Sequence, residues 1–167
     1  MRQVAQLFNS LDPSPFHDRD LDDEAEEFIV GWARELPQRG PIRIIVHLPE
    51  GEARIAEETD LAGTLRHYFA GRVQKFERGI RELFRIGRRH LGVGMLVLVL
   101  CLAASQLSAS IVTVEPLASI ISESLIIVGW VANWKPIEIF LYEWWPIRRK
   151  ISLYERLRDA EVSIRPL

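Results

Sequence analysis

Hydrophobic positions along this chain change their period several times, and each change predicts an element. Between residues 22 and 36 the apolar side chains Ala25, Phe28, Ile29, Trp32, Ala33 and Leu36 recur at i, i+3, i+4, i+7, i+8 and i+11, which is one face of a helix. Asp20 or Asp22 can cap it, and Asp23, Glu24, Glu26 and Glu27 suit the positive end of its dipole. The sequence PQRGP ends it. The period then falls to two. Ile42, Ile44, Val46 and Leu48 alternate with Arg43, Ile45 and His47, the pattern of a strand over 42–48. PEGE then reads as a turn and ARIA as a short return strand. Upstream, residues 1–20 are rich in Pro, Asp and Ser and predict an irregular arm anchored by Phe8, Leu11 and Phe16.

Asp60 opens a long helix. Leu61, Leu65, Tyr68, Phe69, Phe76, Ile80, Leu83, Phe84 and Gly87 keep one stripe, and nothing breaks it before the chain turns wholly apolar. From Leu91 to Val114, 24 residues carry no charge, and about 20 apolar residues cover the roughly 30 Å of a bilayer core. A first span is placed at about 91–111, continuous with the neck helix. After Glu115 and Pro116 the apolar pattern resumes and predicts a second span at about 117–135. The short connection makes the pair an antiparallel hairpin. Gly92, Gly94, Ala103, Ala104 and Ser108 are small enough to let the helices approach.

Beyond the second span, Pro136 can begin a new segment over 136–146. In it Ile137, Phe140, Leu141 and Trp144 share one face, Lys135, Glu138, Tyr142 and Glu143 the other, and Ile139 is an exception. This is the pattern of a helix lying in the membrane interface, with a bend expected at about 135–136 and an end at Pro146. Residues 147–159 continue as a helix with Ile147, Ile151, Tyr154 and Leu157 on one face. Val162 and Ile164 then alternate with Ser163 and Arg165. A lone strand is unstable, so this terminal strand is expected to pair with 42–48.

Charge adds an orientation. Residues 1–59 hold six Lys/Arg against thirteen Asp/Glu, a net of −7; residues 60–90 have a net of +5; residues 91–167 are balanced. Arg81, Arg85, Arg88 and Arg89 precede the first span, and Arg148, Arg149 and Lys150 follow the second. The connecting turn has no Lys or Arg. Positive-inside bias then puts both termini in the cytoplasm, at a plasma (bacterial inner) membrane. The expected architecture is an α-helical membrane hairpin of two transmembrane helices. With it goes a small cytoplasmic α+β domain formed by N- and C-terminal segments. Its parts are an acidic head (1–59), a basic neck (60–90), the hairpin (91–135), the interfacial helix (136–146) and the C-terminal helix and strand (147–167).

Chemistry is sparse. The chain has one cysteine, Cys101, so no intrachain disulfide can form, and its apolar surroundings predict a buried, inert thiol. The N-terminus lacks the basic and apolar regions of a secretory signal. His17, His47, His67 and His90 show no HxxxH spacing, and there is no CxxC. The run from Asp18 to Ile29 has Asp23 where a calcium loop needs Gly and Ile29 where it needs Glu. A solvated acidic helix start accounts for it better, with contact to the basic neck as a further option. Phosphate-loop, dinucleotide-fold and nucleophile-elbow motifs are missing, so no metal, cofactor or catalytic residue is expected.

Partner expectations follow from position. Arg81, Arg85, Arg88 and Arg89 abut a span, so anionic lipid headgroups are a nearer partner than nucleic acid, and no nucleic-acid binding is expected. Trp130, Trp134, Lys135, Trp144, Trp145, Arg148, Arg149 and Lys150 are interface anchors, with Lys135 extending to the headgroups in preference to pairing with Glu138. Glu123 and Asn133 are the intramembrane polar residues. Glu123 lies about two turns into the second span, where a carboxylate marks a proton or ion path, polar assembly, or a wetted external interface. The favoured function is a non-enzymatic integral membrane protein, an accessory subunit, scaffold or self-assembling component. A channel- or sensor-like oligomer using Glu123 is the alternative, and a lipid-acting enzyme subunit comes third.

Overall fold

A computed structural model describes residues 3–9, 12, 15, 19–37, 40–111 and 114–166. A 3-10 turn at Val4–Leu7 precedes α1 (Asp23–Glu35), β1 (Arg43–Leu48), α2 (Glu50–Glu58), α3 (Leu61–Ile111), α4 (Glu115–Val131), α5 (Trp134–Glu138), a π-helical turn (Ile139–Glu143), α6 (Trp144–Arg158) and β2 (Glu161–Pro166). The chain forms two compact units. Residues 1–77 and 148–167 make a terminal unit, and residues 78–147 make the second.

In the terminal unit the chain ends meet through a two-stranded parallel sheet. Its register pairs Ile44 with Val162 and Val46 with Ile164. An exposed ion pair from Arg43 Nε to Glu161 Oε2 (2.8 Å) closes one end. The period-two reading of 42–48 holds: Ile42, Val46 and Leu48 are buried, whereas Ile45 is exposed. The core below the sheet includes Leu48, Leu61, Leu65, Phe69, Ile151 and Leu157, each almost wholly removed from water. Phe69 and Phe76 both pack on the Tyr154 ring, with centroids 6.1 and 5.1 Å away.

Two expectations for this unit are corrected. ARIA is not a return strand but the middle of α2, whose small residues Ala53 and Ala56 are buried. Glu50 and Glu52 in its first turn suit the helix dipole, a start signal that the turn reading overlooked. The second correction concerns α1. Its buried positions are Glu26, Val30 and Ala33, whereas Phe28, Trp32 and Leu36 are exposed. The helix is turned so that a carboxylate faces inward and two aromatic rings face out. Asp22 caps it, its side chain accepting from Glu24 N at 3.0 Å. Phe8 is buried and bridged to Leu21; Leu11 and Phe16, the other expected anchors, lie outside the described residues.

Asp60 starts α3 as expected. It adopts a left-handed φ of 48° and accepts Gly63 N at 3.0 Å. A Cβ on Gly63 would collide with that carboxylate at 2.1 Å, so glycine makes room for the cap. The helix then runs unbroken to Ile111. Its apolar stretch, and that between Glu115 and Arg158, are long and apolar enough to cross a membrane.

In the second unit α3 and α4 pack along a seam of small residues. Gly94, Val97, Leu98, Cys101, Ser105 and Ser108 are buried or half-buried on α3, and all but Val97 follow the alternating spacing of four and three of a coiled-coil seam. A Cβ on Gly129 would lie 2.8 Å from Leu98 Cδ1 and 3.3 Å from Cys101 Cβ. Gly94 is equally confined, 2.7 Å from Asn133 Oδ1 and 2.9 Å from the Ala132 carbonyl. Gly92, expected to help, has open space beside it.

The exit from α4 differs from the expected bend at 135–136. The break comes at Ala132–Asn133. Pro136 has no N–H to offer the carbonyl of Ala132, and its ring crowds that carbonyl, so the helix opens one turn before the proline. Nor is 136–146 a separate helix that ends at Pro146. The π turn at Ile139–Glu143 widens the coil ahead of Pro146, and Pro146 falls in the first turn of α6. A π turn is a standard way to absorb such a local misfit. From the start of α6, Trp144 Nε1 donates back to the Phe140 carbonyl of this turn at 2.9 Å.

Candidate functional site

In the terminal unit three helices converge on one carboxylate. Glu26 of α1 is only 6% exposed. Its Oε2 accepts from Tyr68 Oη at 2.6 Å, and its Oε1 accepts from Tyr154 Oη at 2.6 Å and from Arg72 Nε at 2.9 Å. Arg72 Nη2 also donates to Oε2, completing a two-pronged ion pair. Tyr68 and Arg72 lie one turn apart on α3, and the Arg72 guanidinium stands 5.6 Å from the Tyr68 ring centroid. Burial alone would push the Glu26 carboxyl up, but the hydrogen bonds from Arg72, Tyr154 and Tyr68 outweigh it and hold the group below its ordinary value. Burial and the Glu26 charge push Tyr154 up to about 12, and raise Tyr68 in the same direction. With its lone pairs occupied, Glu26 serves as a tie between α1, α3 and α6 rather than as an acid–base group.

Glu26, expected in a solvated helix start, is buried instead. The option that the acidic run meets the basic neck holds at this pair, Glu26 and Arg72. Two signals point to it: Glu26 shares a helical face with Val30 and Ala33, and Tyr68 and Arg72 stack at i and i+4.

In the second unit the two predicted polar residues part company. Asn133 is buried, and its Nδ2 donates to the carbonyls of Gly94 and Gly129, both at 3.0 Å. It thereby caps the end of α4 and ties that end to α3. Glu123 lies on the exposed side of α4 and has no hydrogen-bond or ion-pair partner among the described residues. Its neighbour Ser122 faces inward instead and shares a 2.5 Å hydrogen bond with Ser105. Ser108, Ser119 and Ser124 donate to carbonyls three or four residues back, so their hydroxyls need no water. Cys101, expected to be buried, is half-buried on the seam.

The residues expected as interface anchors, and the segment that follows α4, are arranged differently from the expected faces. Trp130, Trp134, Ile137, Leu141 and Trp145 form the exposed stripe, with Trp144 half-buried against Trp145. Ile139, the exception in the sequence pattern, is buried. Lys135 does not extend freely but pairs with both Glu138 and Glu143. Arg81, Arg85, Arg88 and Arg89 are all exposed, Arg85 being paired with Glu82. Arg148, Arg149 and Lys150 are exposed in the terminal unit, where Lys150 Nζ sits 6.0 Å from the Phe76 ring centroid.

No group of three or more His, Cys, Asp or Glu side chains able to hold a metal occurs among the described residues. No protein-family model matches the chain, and no curated protein or solved structure is significantly similar to it.

Proposed function

We propose that the chain is a non-enzymatic integral membrane protein whose role is assembly: an accessory subunit, scaffold or self-assembling component, with both termini on the cytoplasmic side. Glu123 carries this reading. It is eight residues into α4, about 12 Å along the helix axis, and it points away from α3. A carboxylate there is costly against hydrocarbon. A second protein surface, from another copy or a different chain, relieves that cost. The membrane placement is supported by exposure: only 11% and 17% of the most apolar window in each long helical stretch is buried within the protein, whereas a soluble core helix hides most of its apolar face. The outward stripe from Trp130 to Trp145 suits the headgroup depth favoured by tryptophan.

Gentle extraction into nanodiscs, followed by mass measurement and partner identification, tests the proposal. A defined oligomer or a stoichiometric partner is expected, and Glu123→Gln should weaken it. A lone monomer whose behaviour ignores Glu123→Gln would overturn the assembly role. The channel-like reading requires more, namely a ring with Glu123 turned to its centre and ion or proton flux that Glu123→Gln alters. Topology is separately testable: a reporter at residue 115 should behave as external and one at residue 167 as internal.

A further inference from the structure

We propose that the cleft between α1 and α6 of the terminal unit is a binding site for a phosphate group. The cleft has a volume of about 280 Å³ and is lined by Arg34, Leu36, Arg149, Ser152, Leu153 and Arg156. Arg149, Ser152, Leu153 and Arg156 recur at i, i+3, i+4 and i+7 on α6, the side away from buried Ile151, Tyr154 and Leu157. Arg34 reaches the same cleft from the last turn of α1, more than a hundred residues earlier. Three guanidinium groups therefore share a hollow with a hydroxyl and no acidic side chain among its lining residues. This happens in the part of the chain whose first 59 residues carry a net −7.

The cations are also uncompensated. Arg34 and Arg149 have no ion-pair partner among the described residues. Arg156 is anchored, its Nη2 donating to the carbonyls of Pro37 (2.9 Å) and Gly40 (3.3 Å). Its Nε, however, is buried and has no acceptor among the described residues. That nitrogen is closed to water, so an anion in the cleft is met by the Arg34 and Arg149 side chains and by Ser152. Guanidinium groups stay protonated and offer only donors, and their planar forks match phosphate oxygens, so the chemistry is recognition and not proton transfer. The volume lies at the small end of ligand sites and suits a phosphate headgroup or a pyrophosphate-sized group. Leu36 and Leu153 give the cleft an apolar edge for whatever carries the phosphate.

The phosphate can belong to an anionic lipid or to a free phosphorylated molecule. The lipid source rests on the membrane reading, and the free source does not. Full-length protein in phosphatidylcholine nanodiscs is titrated with inorganic pyrophosphate while the Arg156 Nε–Hε resonance is followed by NMR. A saturable shift is expected, with Kd raised at least tenfold in Arg34→Gln and in Arg149→Gln, and changed less than twofold in Arg88→Gln. Arg34 and Arg149 are exposed, so both variants should keep the wild-type unfolding midpoint. In phosphatidylglycerol nanodiscs, a tenfold loss of apparent pyrophosphate affinity that depends on Arg34 identifies the lipid phosphate as occupant. Unchanged affinity identifies a free phosphorylated ligand. If neither probe moves the Arg156 resonance, or if Arg88→Gln weakens binding as much as Arg34→Gln does, the site is refuted. The pyrophosphate titration can be repeated in neutral detergent, which separates failure of this site from failure of the membrane reading.

Discussion

The two units treat their carboxylates in opposite ways. The terminal unit buries Glu26 and surrounds it with two tyrosine hydroxyls and a guanidinium. The second unit leaves Glu123 outside and, among the described residues, places the neutral polar groups Asn133, Ser105, Ser108 and Ser122 on its seam. A charge removed from water is tolerated when paired and fully hydrogen-bonded. The Glu26 site meets that condition within one chain. The α3–α4 seam, built from glycine, serine and alanine-sized contacts, has neither the room nor the cations to do so. The Glu26 site is thus electrostatically complete, whereas Glu123 has no partner among the described residues.

The sharpest way to break this comparison is Glu26→Ala. It leaves two buried hydroxyls and the Arg72 guanidinium without their acceptor. Loss of one partner of such a pair costs about 3–5 kcal/mol, read as a lowered denaturant midpoint of the terminal unit. A loss below about 1 kcal/mol would mean that the ring of donors is ornamental. Acid should reproduce part of this effect. The folded Glu26 carboxyl lies below its ordinary 4.5, so its stabilisation is present above pH 4.5 and is lost as pH falls through the folded value. Alkali acts through Tyr154 with the opposite sign. Its folded value is pushed up to about 12 from 10, so its contribution is complete below pH 10 and is lost as pH rises through about 12. Unfolding curves of wild type and Glu26→Gln across pH should converge at the acid end. Parallel curves would sink the assignment.

The neutral seam should respond more weakly and by shape. Gly94→Ala forces a methyl against Asn133 and the Ala132 carbonyl, and overpacking of this kind costs about 1–3 kcal/mol. Gly92→Ala meets nothing and should be neutral or slightly stabilising, so the pair isolates contact from helix propensity in a thermal-shift assay. Ser105→Ala should have the smallest effect, about 0.6 kcal/mol, the average for hydrogen bonds between membrane helices. If Ser105→Ala matched Glu26→Ala, the contrast between the two units would fail.

Local patterns carried much of the fold. Alternation at 42–48 and 162–165 marked the two strands, and the instability of a lone strand implied their pairing. Asp60 announced α3, and the uncharged run from Leu91 to Val114 announced an apolar helix. The misses share one cause. Within α1, apolar spacing favoured Phe28 and Trp32 as the buried face, but the side that meets α3 and α6 is the one that satisfies Glu26. Within the exit segment the two prolines were seen, but their effect falls on the carbonyls four residues earlier. That shifts the break to Ala132–Asn133 and inserts a π turn before Pro146.

What the sequence by itself determined were the properties that depend on neighbours along the chain: helix starts, strand period, apolar length and the segregation of charge. Tertiary structure alone decided which polar side chains meet. Glu26 and Tyr154, which hydrogen-bond, and Arg34 and Arg149, which line one cleft, are each separated by more than a hundred residues, and no local periodicity encodes a meeting across that distance. Their proximity follows from closing the chain ends through β1 and β2, which sets α6 beside α1 and turns two unremarkable surface helices into the walls of a buried ion pair and an arginine-lined cleft.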